Sequence, residues 1–152
     1  YQVTHISTTQ QQLILLRIFI CNKPKGISMD DIAGNWIATY ARFSNNQLNP
    51  PIQINVVDEG GTVNLVIQSN GRFTFTISFP GETPDVSKGQ LGFDEDYLVV
   101  HYDGDAADDY EYMGIQLSQD QNTLVISGPA EYDFNEDGTE EPAQLRLELV
   151  RN

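Results

Sequence analysis

The alternation of apolar and polar side chains between Thr62 and Phe79 most constrains what this chain can fold into. Its second half has an apolar residue at every other position, the pattern of a β-strand with one buried face. The apolar set is Val63, Leu65, Ile67, Phe73, Phe75, Ile77 and Phe79. Each of these side chains contributes about 1.5–3 kcal/mol when fully buried, so the face they form needs a second layer to cover it. The segment is therefore predicted to be a β-hairpin within a larger β-structure.

The turn of this hairpin is set by the requirement that both apolar sets lie on one face. A two-residue turn at Asn70-Gly71 would pair Ile67 with Thr74 and separate the two sets. A three-residue loop, Ser69-Asn70-Gly71, pairs Ile67 with Phe73 and keeps the sets together. We therefore expect a type I turn with Gly71 in the left-handed region and a G1 bulge.

Further strand patterns follow one another along the rest of the chain, separated mostly by tight turns. The predicted strands are 34 to about 43, 52–56, 89–94, 97–103, 110–118, 123–128, 130–134 and 143–150, with 80–88 as a loop. Eight to ten short antiparallel strands with almost no helix predict an all-β protein. An up-and-down β-barrel is the favoured architecture, and a β-sandwich is the second. We expect residues 30–152 to form one domain.

The first part of the sequence, residues 1–29, does not resemble the rest of the domain. Its polar start is followed by an apolar run, Leu13 to Cys21, that is interrupted by Arg17. The length of this run and the cysteine that ends it resemble a bacterial lipoprotein export signal. We therefore expect an exported protein, periplasmic, outer-membrane-anchored or secreted. An extra helix or strand, or translated upstream sequence, are the alternatives for this segment.

Charge excludes some partners. The chain carries 8 basic and 22 acidic residues, a net charge of −14. Residues 29–152 hold 5 of the basic and all 22 of the acidic residues, so their net charge is 5 − 22 = −17. Such a domain repels nucleic acid and anionic membrane surfaces. No apolar run is long enough to span a membrane, and a monomer is expected.

The start of the first predicted strand carries a resemblance to a known family. Gly34-Asn35-Trp36 follows a short helical turn at residues 30–33, and the basic residue Arg151 closes the last strand. In these features the chain resembles lipocalin-like (calycin) barrels. The resemblance implies that Trp36 plugs one end of the barrel with Arg151 packed over its ring. It also implies an exported barrel that holds a small apolar ligand.

Two interpretations of the barrel interior remain open. Eight strands enclose a space that is either filled by side chains or left open for one small ligand. The candidate ligand-binding residues are the aromatic side chains expected to point inward, namely Tyr40, Phe73, Phe75, Phe79 and Tyr102. The alternative is a structural or interaction module of an exported protein, with a filled barrel.

An acidic stretch near the end of the chain follows the spacing of a calcium loop. Residues 133–141 match the first nine positions of the pattern D-x-N-x-D-G-T-x-E, although Gln144 replaces the glutamate expected at position twelve. The flanking segments are predicted strands, so this would be a hairpin loop and not an EF-hand. The candidate ligands are Asp133, Asn135, Asp137, Thr139 and Glu141. The plainer interpretation is a solvated acidic turn, and a bound Ca²⁺ would be held weakly.

Enzymatic activity is not expected. His5 and His101 are the only histidines, and His101 is predicted to face outward from its strand. The sequence contains no nucleophile elbow, P-loop, dinucleotide fingerprint or zinc-ligand spacing. We therefore expect no cofactor other than a weakly bound Ca²⁺.

Overall fold

The computed structural model describes residues 26–152. It has antiparallel β-strands where the sequence alternates apolar and polar side chains. The elements are α1 (Met29–Ile32), β1 (Gly34–Asn45), β2 (Ile52–Asn55), β3 (Thr62–Ile67), β4 (Arg72–Ser78), β5 (Asp85–Asp94), β6 (Tyr97–Tyr102), β7 (Glu111–Leu117), β8 (Thr123–Tyr132) and β9 (Glu141–Arg151). Over this range no helix has the length and apolarity needed to cross a membrane. The export signal expected around Cys21 lies outside the described residues.

Eight of these strands close into an up-and-down barrel. Their order is β1-β3-β4-β5-β6-β7-β8-β9, and β9 pairs with β1 to complete the ring. The closing ladder runs from Trp36 opposite Arg151 to Ser44 opposite Gln144. The ninth strand, β2, pairs only with the last part of β1 and lies outside the ring. The all-β barrel predicted from the sequence is confirmed.

The hairpin formed by β3 and β4 has the predicted register. Ile67 lies opposite Phe73, and Leu65 lies opposite Phe75. Gly71 has φ 87°, and its N–H donates to the carbonyl of Gln68 at 2.9 Å, which closes the turn. A Cβ on Gly71 would lie 2.6 Å from the Leu91 carbonyl oxygen, so only glycine fits both the backbone angle and the space.

A β-bulge in β1 corrects the predicted position of Tyr40. The pairing with β9 shifts between Ala38 and Tyr40, so Thr39 is an extra residue in this strand. Beyond the bulge Ala41 and Phe43 are buried, and Tyr40 lies opposite Glu148 on the outer face. The prediction that Tyr40 points inward is therefore wrong.

Two strand boundaries also differ from the prediction. β5 begins at Asp85, inside the segment predicted as a loop, because Asp85 and Val86 pair with the end of β4. β8 runs unbroken through Pro129, where the sequence predicted two strands. The β7 ladder ends at Ser127, so from Pro129 onward β8 has a paired neighbour on one side only. That edge-like position tolerates a residue without an N–H.

One end of the barrel is closed by Trp36 and Arg151. The Trp36 ring is buried, and its Nε1–H donates to the Ile32 carbonyl at 2.8 Å. Arg151 Cζ lies 4.3 Å from the centroid of that ring. The guanidinium also donates to the carbonyls of Asp31, Ala33 and Gln121 at 2.6–2.7 Å. Arg151 therefore ties α1 and the β7–β8 connection to the last strand over this ring.

Replacing Arg151 with alanine should destabilise the barrel. The change removes three charge-assisted hydrogen bonds and a cation–π contact. Together their net contribution to the free energy of unfolding, with the lost hydrogen bonds to water subtracted, is about 3 kcal/mol. The expected fall in melting temperature is about 6–12 °C, measured by circular dichroism. Arg146→Ala is the matched control, because Arg146 has an exposed partner, Glu148, and should change the melting temperature by less than about 2 °C. Equal melting temperatures for the two variants would contradict this role.

Candidate functional site

Inside the barrel lies an apolar cavity. Its volume, measured as the space that the centre of a water molecule can occupy, is about 50 Å³. The walls come from seven of the eight barrel strands and are Leu65, Phe73, Phe75, Leu91, Leu98, Val100, Tyr102, Met113, Ile126, Leu145 and Leu147. Tyr102 supplies the one polar side-chain group of this lining. All of these residues are buried except Phe75 and Tyr102, which are half-buried. The cavity therefore approaches the surface beside these two rings, at the end of the barrel away from Trp36.

The structure brings together three of the five predicted ligand-binding residues. Phe73, Phe75 and Tyr102 line the cavity, and the Phe73 and Tyr102 rings meet edge to face at 5.8 Å. Tyr40 is outside because of the β1 bulge. Phe79 follows the end of β4, and its ring lies close to Gly61 and away from the lining.

Aliphatic residues make up most of the lining, and none of them was among the predicted aromatic candidates. The alternation along each strand indicates which side chains point inward, and it could have identified them. Leu98 and Val100 share the face of Tyr102, and Leu145 and Leu147 share one face of the last strand. Their convergence on one space depends on barrel closure, which no single strand pattern reports.

A carboxylate lies at the edge of this cavity. Glu111 has the same parity on β7 as the buried Met113, and it lies directly opposite Val100 in the β6 ladder. Burial, first of all, raises the pKa of Glu111, and the nearby charges of Glu131, Asp109 and Asp105 raise it further. The cavity edge therefore carries negative charge that lacks full hydration.

Other ionisable groups at this end confirm the same electrostatic pattern. Burial raises the pKa of Tyr102 to about 12, with further contributions from the charges of Glu111, Asp105, Glu131 and Glu140. The Tyr102 hydroxyl is therefore a neutral hydrogen-bond donor at physiological pH. Burial and a hydrogen bond with Glu131 raise the pKa of Glu140.

The predicted calcium loop joins β8 to β9 at this same end. Ligand atoms from Asp133, Asp137 and Glu141 lie within 4.8 Å of one another, the one such group of three among residues 26–152. Hydrogen bonds hold the loop, since Asp133 accepts from the N–H groups of Asp137 and Gly138 at 3.1 and 2.8 Å. Glu141 accepts from the Phe134 N–H at 3.0 Å.

The remaining predicted ligands of this loop have other contacts. Asn135 Oδ1 accepts from the Asp137 N–H at 3.2 Å, and the Thr139 N–H donates to Asp137 at 2.8 Å. The Thr139 carbonyl belongs to an exposed residue. Gln144 lies in β9 opposite Ser44 and is exposed, outside the loop. The geometry therefore offers three carboxylates as the principal cation ligands.

A larger hollow lies on the outer face, where β6 and β7 separate. Its volume is about 280 Å³, and its walls include Tyr97, Gly114, Val125 and Arg146. The β6–β7 ladder covers only Leu98–Val100, and Gly114 has no side chain, so the surface is indented here. Charged and polar side chains share its lining, in contrast to the apolar walls of the interior cavity.

His101 lies in β6, opposite Gln90 of β5. Its Nε2 lies 3.0 Å from the Ala106 carbonyl oxygen, and its ring packs near Tyr110 at 5.3 Å. It faces outward, as predicted.

Comparison with protein-family models and with curated proteins finds no match to this chain.

The Glu111→Gln substitution should stabilise the protein at neutral pH. The raised pKa of Glu111 means that its stabilising contribution is complete below the ordinary value of 4.5 and is lost as the pH rises through the folded-state pKa. At pH 7 the ionised group therefore opposes folding, and the amide removes that effect. We expect the melting temperature to rise by about 1–2 °C at pH 7 and to stay unchanged at pH 3, where both side chains are neutral.

The exposed Glu95, in the β5–β6 turn at the opposite end of the barrel, provides the control. Glu95→Gln removes the same formal charge without relieving a buried group. If Glu111→Gln lowers the melting temperature at pH 7, or matches Glu95→Gln there, the description of Glu111 as a destabilising inward carboxylate is incorrect.

Proposed function

We propose that this protein is a non-enzymatic, lipocalin-like carrier that takes a small apolar molecule, or the apolar end of a longer one, into its barrel. The apolar cavity is the observation that carries this proposal. Its lining lacks charged groups, and it reaches the surface beside two half-buried rings. The closure of the other end by Trp36 and Arg151 supports the lipocalin-like assignment, since the family resemblance rests on those same residues.

The cavity volume indicates the size of the ligand. An engineered apolar cavity of about 150 Å³ stays dry and binds benzene. The cavity of this barrel, at about 50 Å³, is roughly a third of that size. A benzene-sized ligand therefore needs Phe75 and Tyr102 to move, and a fatty acid or another long ligand needs a larger displacement of both rings.

The apolar run from Leu13 to Cys21 supports an exported location for this carrier. An exported binder meets small molecules outside the cytoplasm, and the strongly acidic surface keeps it soluble there.

Toluene binding tests the proposal. Millimolar toluene should shift the amide NMR signals of cavity residues and raise the melting temperature by a few degrees, because a ligand that binds only the folded state stabilises it. Val100→Phe should abolish both effects by filling the cavity, and the smaller change Val100→Leu should weaken them. Val99→Phe is the matched control, since Val99 pairs with Tyr112 on the outer face. Unaltered spectra of the wild-type protein at saturating toluene would overturn the proposal.

A second candidate function is a structural module stiffened by Ca²⁺. The observation that favours it is the group of three carboxylates in the loop between β8 and β9. Oxygen ligands on a pre-formed loop suit Ca²⁺, and the missing glutamate at position twelve points to a dissociation constant of about 10⁻⁴–10⁻³ M. In this case the small cavity is a packing defect, and the barrel supports the loop.

Calcium should then raise the melting temperature. At 10 mM Ca²⁺ the expected stabilisation is about 1–3 kcal/mol, or roughly 2–12 °C. Asp137→Asn keeps the acceptor for the Thr139 N–H but removes a charged ligand, so it should weaken the effect, and Asp137→Ala should abolish it. Asp105→Ala, in a different acidic loop, should leave it intact. A melting curve that does not respond to millimolar Ca²⁺ rules this function out.

A further inference from the structure

Glu111 occupies a position that its strand otherwise gives to apolar side chains. The inward positions that follow it on β7 are Met113, Ile115 and Leu117. Glu111 lies opposite Val100, and directly opposed residues of an antiparallel pair have Cβ atoms about 4.5–5.5 Å apart. Val100 and Met113 are both walls of the cavity. The carboxylate therefore lies at the rim of the apolar cavity.

No basic group of residues 26–152 neutralises this carboxylate. The two ion pairs in that range join Arg72 to Asp103 and Arg146 to Glu148. Lys88 shares the outward parity of Gln90 on β5, since the buried Gly89 and Leu91 face the interior. The Glu111 side chain forms no hydrogen bond or ion pair in the described structure. Burying a carboxylate without a partner opposes folding. A role in ligand binding accounts for its presence at this position.

The surroundings of Glu111 add negative charge. The charges of Asp105 and Asp109 from the β6–β7 connection, and of Glu131 from β8, raise the pKa of Glu111, and Glu140 contributes to the raised pKa of Tyr102. Negative charge from three segments of the chain therefore acts on this end of the cavity. A cation that enters here is attracted by all of these groups, and the low-polarity walls beside it strengthen the interaction.

A metal ion does not suit this rim. Among residues 26–152, the three-carboxylate group with ligand atoms close enough to chelate a metal is Asp133, Asp137 and Glu141, which excludes Glu111. A metal ion would also leave the apolar cavity below it empty. A molecule with an apolar group and a single positive charge uses both features.

We propose that the ligand of this barrel is a small amphiphilic amine, with its apolar group in the cavity and its ammonium group at Glu111 beside the Tyr102 hydroxyl. This inference rests on the proposed carrier function. A ring joined to an ammonium by a two-carbon link has this combination of one apolar group and one positive charge, and the ring enters when Phe75 and Tyr102 move. Charge complementarity, and not the cavity walls, then sets the specificity.

Three ligands that share one ring test this inference on the full chain: 2-phenylethylamine, 2-phenylethanol and phenylacetate. Isothermal titration calorimetry at pH 7 measures their dissociation constants. We expect the amine to bind about tenfold more tightly than the alcohol, and phenylacetate to bind more weakly than either. The preference for the amine should shrink in 0.5 M NaCl, because salt screens the rim charges.

Two variants assign the preference to Glu111. Glu111→Gln should bring the amine to within about twofold of the alcohol while leaving the affinity for the alcohol unchanged. Glu95→Gln, at the opposite end of the barrel, should keep the wild-type preference. Circular dichroism establishes that both variants are folded.

The outcomes separate the two proposals. If the alcohol binds as tightly as the amine, or Glu111→Gln keeps the preference for the amine, the inference fails while the carrier function stands. If none of the three ligands binds, and toluene does not bind, both fail. An amine preference that depends on Glu111 establishes the inference.

Discussion

The pairing of β1 with β9 is the interaction on which the rest of the structure depends. It converts a meander of hairpins into a ring and gives every inward side chain a neighbour across the interior. Without it, the inward faces of the strands would form one open layer exposed to water. The β1 bulge at Thr39 belongs to this closure, since it turns the strand so that residues on both sides of it reach the core.

Strand register was predictable because it follows from local pattern. The three-residue loop that ends at Gly71, and the pairing of Ile115 with Ile126, are the ones that the alternation requires. The bulge that turns Tyr40 outward was not predictable. The sequence on either side of Thr39 alternates in the same way whether or not the strand contains an extra residue. The continuation of β8 through Pro129 was not predictable for another reason. The tolerance of this proline in β8 depends on where the neighbouring strand stops, which is a tertiary property.

The candidate site was only partly visible in the sequence. Aromatic side chains attract attention, yet most of the cavity wall is aliphatic, and the carboxylate at its rim looked like one acidic residue among 22. Its inward position follows from counting along β7 from Met113, once that strand is fixed by its neighbours. An apolar cavity and an inward charge are each common, and the position of the charge opposite a wall residue, Val100, is what suggests a specific ligand class.

The separate position of β2 affects how copies of this protein meet. A closed ring has no terminal strand, so the backbone groups that could template another chain are mostly occupied. Strand β2 has a neighbour on one side only over its whole length, and it is four residues long and preceded by Pro50-Pro51. Short length and a proline start are features that limit edge-to-edge aggregation. The architecture therefore limits the association of copies through their backbones, even at high protein concentration.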